Sequence, residues 1–188
     1  IERDADILGP MAQQRLARAY ISITTLDRDL ARRMEPRAPT PAKRLKAIEA
    51  LSRAGIPVGV MFAPIIPGLN DHEMEDVLQA ASDAGARTGS YVLLRLPLEI
   101  KDLFIEWLQA HYPDRAERVM TLVRDCRGGR AYDSQWGKRM KGSGPFADMV
   151  ARRFAMACRR SGLDKRSWEM DTTLFHKPAA DADQLALL

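Results

Sequence analysis

Three short runs rich in β-branched and apolar residues punctuate the first half of the chain: Ala19–Thr25 (AYISITT), Pro57–Ala63 (PVGVMFA) and Ser90–Leu96 (SYVLLRL). Tyr20 and Pro57 lie 37 positions apart, and Pro57 and Tyr91 lie 34 apart. Helical periodicity fills the intervals, so each repeat reads as one βα unit. Thr40-Pro41 supplies an N-cap followed by a first-turn proline, whose missing N–H costs nothing there. Leu45, Ile48 and Leu51 follow at helical spacing, and Gly55 is placed to end the helix in a left-handed conformation. The next interval repeats the design. Asn70 or Asp71 caps, Asp71, Glu73, Glu75 and Asp76 suit the positive end of the helix dipole, and Gly85 closes. An earlier helix, about Pro10–Arg18, is expected to belong to a strand that lies before Ile1.

After the third run the pattern changes. Glu99–His111 predicts a helix with Leu103, Phe104, Trp107 and Leu108 on one face, and Pro113–Cys126 another with Ala116, Val119, Met120 and Val123 aligned. Arg127-Gly128-Gly129-Arg130 breaks the pattern. Gly142-Ser143-Gly144-Pro145 then leads into a last helix at about Pro145–Ser161, with a core stripe of Phe146, Met149, Val150, Phe154 and Ala157. The helical tail is expected to cover the sheet, and the last ten residues to be disordered.

Alternating strands and helices imply a parallel sheet with right-handed crossovers. A closed eight-stranded barrel needs roughly 250 residues. This chain has 188 and opens on charged residues without an initiator Met, so it reads as a fragment holding part of a barrel or a small open sheet. No apolar stretch suffices to span a bilayer and nothing resembles a signal peptide. Cys126 and Cys158, the two cysteines, lie 32 positions apart and offer neither a disulfide framework nor a metal site by themselves. A reduced cytoplasmic protein with no membrane partner is the expectation.

Charge adds one feature. Residues 127–166 hold eleven Lys/Arg against Asp133, Asp148 and Asp164, a local +8 on a chain whose net charge is +4. Such a segment reads either as an electrostatic footprint for DNA or as a solvated helix face.

Ligands of α/β sheets bind at the carboxyl ends of the strands. At the first end, alternation puts Tyr20, Ser22 and Thr24 on one face. Hydroxyls there meet either each other or a polar ligand. The second strand runs into Ala63–Asp71, where Pro64, Pro67 and Gly68 fix a rigid turn. In the third, Arg95 stands among apolar residues, so it must be paired or face a polar cavity.

The stretch Ser22–Asp71 resembles the radical S-adenosylmethionine (SAM) superfamily, closest to the branch with spore photoproduct lyase and the DNA repair photolyase-like proteins. The matching features, in order, are the Ser22–Thr25 strand end, Glu35-Pro36 with Ala38-Pro39, Arg44-Leu45, Ala54–Val58 and Ala63–Asp71. The similarity extends over roughly residues 19–175. The resemblance implies an α/β fold: the C-terminal part of a partial (βα)6 TIM-like barrel, three parallel βα units followed by a helical tail. On that reading residues 1–98 are strands four to six, 99–176 a helical extension and 177–188 a disordered tail.

The resemblance also implies roles. Ser22 and Thr24 would meet the ribose or methionine part of SAM, and Glu35 and Arg44 would join them. The family's GxIxGxxE loop reads here Pro64-x-Ile66-x-Gly68-x-x-Asp71, so Ile66 and Gly68 would pack near the adenine. The backbone at Leu93–Arg95 would bond the adenine edge. The family carries three cysteines in a CxxxCxxC loop, which hold a [4Fe–4S] cluster. No such loop occurs in this sequence. The complete protein would cleave SAM to a 5′-deoxyadenosyl radical, as a DNA-repair lyase in this branch, with its N-terminal half as the missing partner. The chain alone would be inactive and bind no cofactor. Two other readings stand beside this one: a different barrel lyase, and a nucleic-acid-binding module built on residues 127–166.

Overall fold

A computed structural model describes residues 1–164 and 169–174. Three parallel strands, β1 (Ala19–Ile23), β2 (Val58–Ile65) and β3 (Thr88–Leu93), form one sheet in the order β1-β2-β3. Before it comes α1 (Ala5–Gln13). The first crossover holds α2 (Arg28–Met34) and α3 (Pro41–Arg53), and the second holds α4 (Met74–Asp83). Then follow α5 (Ile100–His111), α6 (Pro113–Asp125) and α7 (Pro145–Arg160). This is an α/β architecture consistent with part of a TIM-like barrel.

Local chemistry sets the boundaries. Thr40 caps α3 by accepting from the Lys43 amide, with Pro41 in the first turn. At Gly55 (φ +75°) the amide bonds Ser52 O and the next amide bonds Leu51 O, the two-bond closure of a helix ending in left-handed backbone. α1 ends the same way, but on Arg15 (φ +58°). That helix lies five residues earlier than the Pro10–Arg18 expectation, with Pro10 inside it. α2 was not foreseen. Its start is fixed by Asp27, whose carboxylate accepts from the Asp29 and Leu30 amides.

Two strands also differ from expectation. β2 runs through Pro64 to Ile65, with a register irregularity after Phe62 that accommodates the missing N–H. β3 starts at Thr88 and stops at Leu93, so Arg95 lies in the loop beyond it, not inside a strand.

The core has two parts. One face of the sheet, with Ile23, Val60, Phe62, Tyr91 and Leu93, packs against α3, α4 and α7. A second cluster gathers Leu30, Ile66, Leu69, Leu94 and Leu96 under Phe104 and Leu108 of α5 and Val119, Met120 and Val123 of α6. Of the three C-terminal helices only α7 therefore covers the sheet. α5 and α6 pack on the loops at its carboxyl end, and Leu103 projects outward from α5. No helix among the described residues is long and apolar enough to cross a membrane. The expected disordered tail at 177–188 lies outside the described residues, as do Lys165 and Arg166.

Candidate functional site

At the carboxyl end of β1 the chain folds back on itself through buried hydrogen bonds. Glu73 is the organiser. Its Oε1 accepts from the Thr25 hydroxyl, and its Oε2 from the Leu26 (2.7 Å) and Asp27 (3.2 Å) amides. Thr25 Oγ1 in turn accepts from the Asp27 amide at 3.0 Å. Asn70, fully buried, completes the junction. Its Nδ2 donates to Thr24 O (2.7 Å) and Pro64 O (3.0 Å), and its Oδ1 accepts from the Ile66 amide at 2.7 Å. These bonds tie the tip of β1 to the loop after β2 and set the direction in which α2 leaves.

Neither Asn70 nor Asp71 caps α4 with its side chain. Asp71 accepts from the Gly68 amide, and Glu73 is engaged with β1. The dipole explanation therefore holds only for Glu75 and Asp76, in the first turn of α4. Glu75 also receives Arg153 of α7, Nε at 3.1 Å and Nη2 at 2.7 Å. Burial alone would raise the Glu75 carboxyl. The Arg153 bonds and charge prevail and hold it below its ordinary 4.5.

α2 returns Glu35 toward the strand. Thr24 Oγ1 lies 2.9 Å from Glu35 Oε2 and 3.1 Å from Ala63 O, so its one proton is shared between these acceptors. Arg44, on α3, gathers the rest. Its Nη2 donates to Glu35 Oε2 (2.9 Å), its Nη1 to Ser22 O (2.8 Å) and Oγ (3.1 Å), and its Nε to Pro39 O (3.1 Å). The structure thus brings Ser22, Thr24, Glu35 and Arg44 into one network. Thr24, Glu35 and Arg44 border a cavity of about 560 Å³, lined also by Arg28, Arg32 and Pro39 among others. A second cavity, of about 690 Å³, lies on the far side of Arg44 along Tyr20 and Ser22.

The other four sequence-derived candidates lie apart from this network. Ile66 is fully buried in the second apolar cluster. Gly68 (φ +75°) packs against α6, where an added Cβ would sit 3.2 Å from Leu122 Cδ1. At the end of β3, the Leu93 amide bonds Met140 O at 2.9 Å and the Leu93 carbonyl accepts from Arg127 Nη2 at 3.2 Å. Arg95 lies over the Tyr132 ring and donates to its hydroxyl at 3.1 Å, with no carboxylate beside it among the described residues.

Sequence reasoning missed Arg127, Asn70 and Glu73 as organisers. Arg127 is buried with no ion pair among the described residues, and its guanidinium serves the carbonyls of Leu93, Leu94, Lys138 and Arg139. A cation before two glycines looked like punctuation. Burial lowers its pKa, the nearby Cys126 opposing and Arg95 adding to that effect.

The donors present do not fit an iron–sulfur cluster. Cys126 and Cys158 are both buried among apolar groups, and that burial pushes each thiol up to about 11. Among the described residues no three His, Cys, Asp or Glu converge to hold a metal. The Glu35–Arg44 cavity does fit a polar organic group. Glu35 keeps Oε1 without a hydrogen bond to any described residue, and Arg28 lines the same space without an ion pair among them.

Residues 2–81 match the family model of the radical SAM superfamily. That span contains β1, β2 and the whole Ser22–Thr24–Glu35–Arg44 network. The chain is also similar to uncharacterized proteins of Mycobacterium bovis and Mycobacterium tuberculosis, 31% identical over 126 residues, which cover 66% of this chain and 37% of each relative. An uncharacterized protein of Acidianus two-tailed virus is 32% identical over 90 residues, 45% of this chain and 29% of its own. The chain therefore spans 37% of the mycobacterial relatives. No solved structure matches it significantly.

Proposed function

We propose that this chain forms strands four to six of a radical SAM enzyme's barrel and that the cavity beside Glu35 holds part of SAM. The observation that carries the reading is the convergence of four polar side chains from β1, α2 and α3 at a strand's carboxyl end, inside the span that matches the superfamily. The cluster and SAM, when bound in the complete protein, supply one-electron chemistry. This chain's own residues bind and orient. Arg44 fixes the Glu35 carboxylate through Oε2, leaving Oε1 to accept a hydrogen bond from a ribose hydroxyl or an ammonium. Thr24 holds the same carboxylate against the strand, and Arg28 offers charge to a carboxylate.

The finer reading is a lyase of the spore photoproduct lyase-like branch, acting on DNA. It rests on the ordered residues of Ser22–Asp71 and on the basic segment. The two cysteines of the sequence are too few for a cluster that needs three, so the chain alone is expected to be inactive.

Ligand-observed NMR of SAM with the complete protein tests the site. Saturation transfer is expected for the wild type, with affinity reduced about two- to tenfold in Thr24→Val and Glu35→Ala, as one lost hydrogen bond requires. Equal transfer in all three proteins would remove the site assignment.

A further inference from the structure

Trp136 is the anomaly of the surface. Trp is among the most buried side chains on average, yet this one is 81% exposed. Among the described residues its one ring contact is the Arg139 guanidinium, 4.3 Å from the centroid. One face of the indole is thus occupied by a cation and the ring is otherwise open.

The loop that carries it is tightly held. Arg127 donates to the carbonyls of Lys138 (3.0 Å) and Arg139 (2.9 Å) with one nitrogen, and to Leu93 and Leu94 at the end of β3 with another. Met140 O accepts from the Leu93 amide, Lys141 Nζ donates to Tyr91 O at 2.9 Å, and the Lys138 and Arg139 amides close a turn on Gln135 O. The indole therefore projects from a rigid base at the same end of the sheet as the Glu35 cavity. Arg130 and Lys138 are exposed and have no ion pair among the described residues, and Asp133 is the one acid between Arg127 and Ala147. Tyr132, backed by Arg95, adds a second ring.

We propose that this loop is a stacking platform for single-stranded nucleic acid. A base lies on the open face of Trp136, its opposite face held by Arg139, while Arg130 and Lys138 meet the flanking phosphates. Every base has a π face, and base–aromatic stacking combined with a basic track is how sequence-tolerant single-strand binding is built. A duplex keeps its bases stacked on one another and gives the indole nothing to cover. The structure also narrows the wider basic segment. Arg127 is committed to backbone carbonyls and Arg153 to Glu75 and Asp71, so neither is offered to phosphate; Arg152, Arg159 and Arg160 stay exposed on α7, apart from the loop at 130–139. This inference is independent of the SAM reading and stands or falls without it.

The test uses the 188-residue chain and fluorescein-labelled single strands of about twelve nucleotides, a length within the usual single-strand site sizes. Oligothymidylate and oligouridylate arms separate DNA from RNA, and a duplex of the same length and anionic phosphatidylglycerol vesicles serve as competitors. Single strands are expected to bind and to quench tryptophan fluorescence. Trp136→Ala should weaken binding about tenfold or more, while Trp136→Phe retains most of it. Arg130→Ala with Lys138→Ala should make the slope of log affinity against log salt shallower by about 1.4, two single-strand phosphate contacts' worth. The side chains are exposed, so unchanged circular dichroism melts accompany all three variants. Absence of single-strand binding at low salt, binding indifferent to Trp136→Ala, preference for the duplex, or displacement by vesicles would each overturn the proposal.

Discussion

Replacing Arg44 by Met keeps most of the side-chain stem and removes the guanidinium. Arg44 is the hub of the site, bonded to Ser22 O, Ser22 Oγ, Pro39 O and Glu35 Oε2, with 12% of its side chain exposed. A hydrogen bond to a charged group contributes about 1.5–3 kcal/mol where water is excluded. The Glu35 side chain is 34% exposed, so that member of the set is discounted toward the surface value of about 1 kcal/mol or less. Pro39 O and Ser22 O regain water at the cavity rim. The net loss should be about 2–3 kcal/mol. With a urea dependence of about 2 kcal/mol per molar, the unfolding midpoint falls by about 1–1.5 M. Glu35→Gln keeps an oxygen for Thr24 and loses the charge, and should cost about 1 kcal/mol. If the pair acts as a unit, the double variant costs less than the sum, by about 0.5–1 kcal/mol. Circular dichroism against urea at neutral pH measures all four proteins. A midpoint shift below about 0.2 M for Arg44→Met, or additivity within about 0.3 kcal/mol, would show that the network does not hold the site together.

Other expectations follow from particular contacts. Gly89→Ala should cost about 1–3 kcal/mol, because the new Cβ would meet Cys158 Sγ at 2.9 Å and Phe154 Cζ at 3.3 Å, and Cys158→Ala in the same chain should restore part of it in thermal melts. Glu75 has a folded pKa below 4.5, so its contribution is present above 4.5 and lost as pH falls through the folded value; the urea-midpoint difference between wild type and Glu75→Gln should shrink on acidification. Burial lowers Lys141 from 10.5 to about 8, so the unfolded chain binds the extra proton between those values, and stability relative to Lys141→Met should rise across that interval. Anaerobic reconstitution of the chain should yield no absorption from a cluster, and a brown protein with stoichiometric iron would contradict the chemistry assigned to Cys126 and Cys158.

The legible parts of this molecule are those whose cause is local. Thr40-Pro41 and Gly55 announce the ends of α3, because a cap and a left-handed residue act on their own neighbours. Ser22 and Thr24 share a face by alternation, and the resemblance adds Glu35 and Arg44; the structure sets Thr24 and Arg44 on one Glu35 oxygen and Ser22 on the other end of the Arg44 guanidinium. What stayed hidden depends on partners distant along the chain. Glu73 reads as a helix-dipole acid until Thr25, Leu26 and Asp27, 46–48 positions earlier in the chain, are found donating to its carboxylate. Arg95 reads as a buried strand charge until β3 is seen to stop two residues earlier, at Leu93. α2 escapes notice because seven residues with three arginines carry little apolar periodicity; its stability comes from the Asp27 cap, from Leu30 and from Trp107, whose indole nitrogen donates to Arg33 O.

The two edges of the sheet explain why the basic segment could be read two ways. Along β3 the chain covers its own edge: the Gly89 amide bonds Leu163 O, Tyr91 O receives Lys141, and the Leu93 amide and carbonyl go to Met140 O and Arg127. Covering an exposed strand edge prevents adventitious pairing, and cations suit an edge that presents carbonyls. Part of the positive charge between residues 127 and 141 is therefore structural, used on backbone oxygens of the sheet. At β1, Arg44 meets Ser22 O from α3, and among the described strands β1 pairs with β2 only. Along β3 a further strand would find those backbone groups already engaged. The same cover also accounts for the exposed indole. Once Arg127 and Lys141 are drawn inward to the strand, the turn between them is pushed outward, and Trp136 is the residue at its crest.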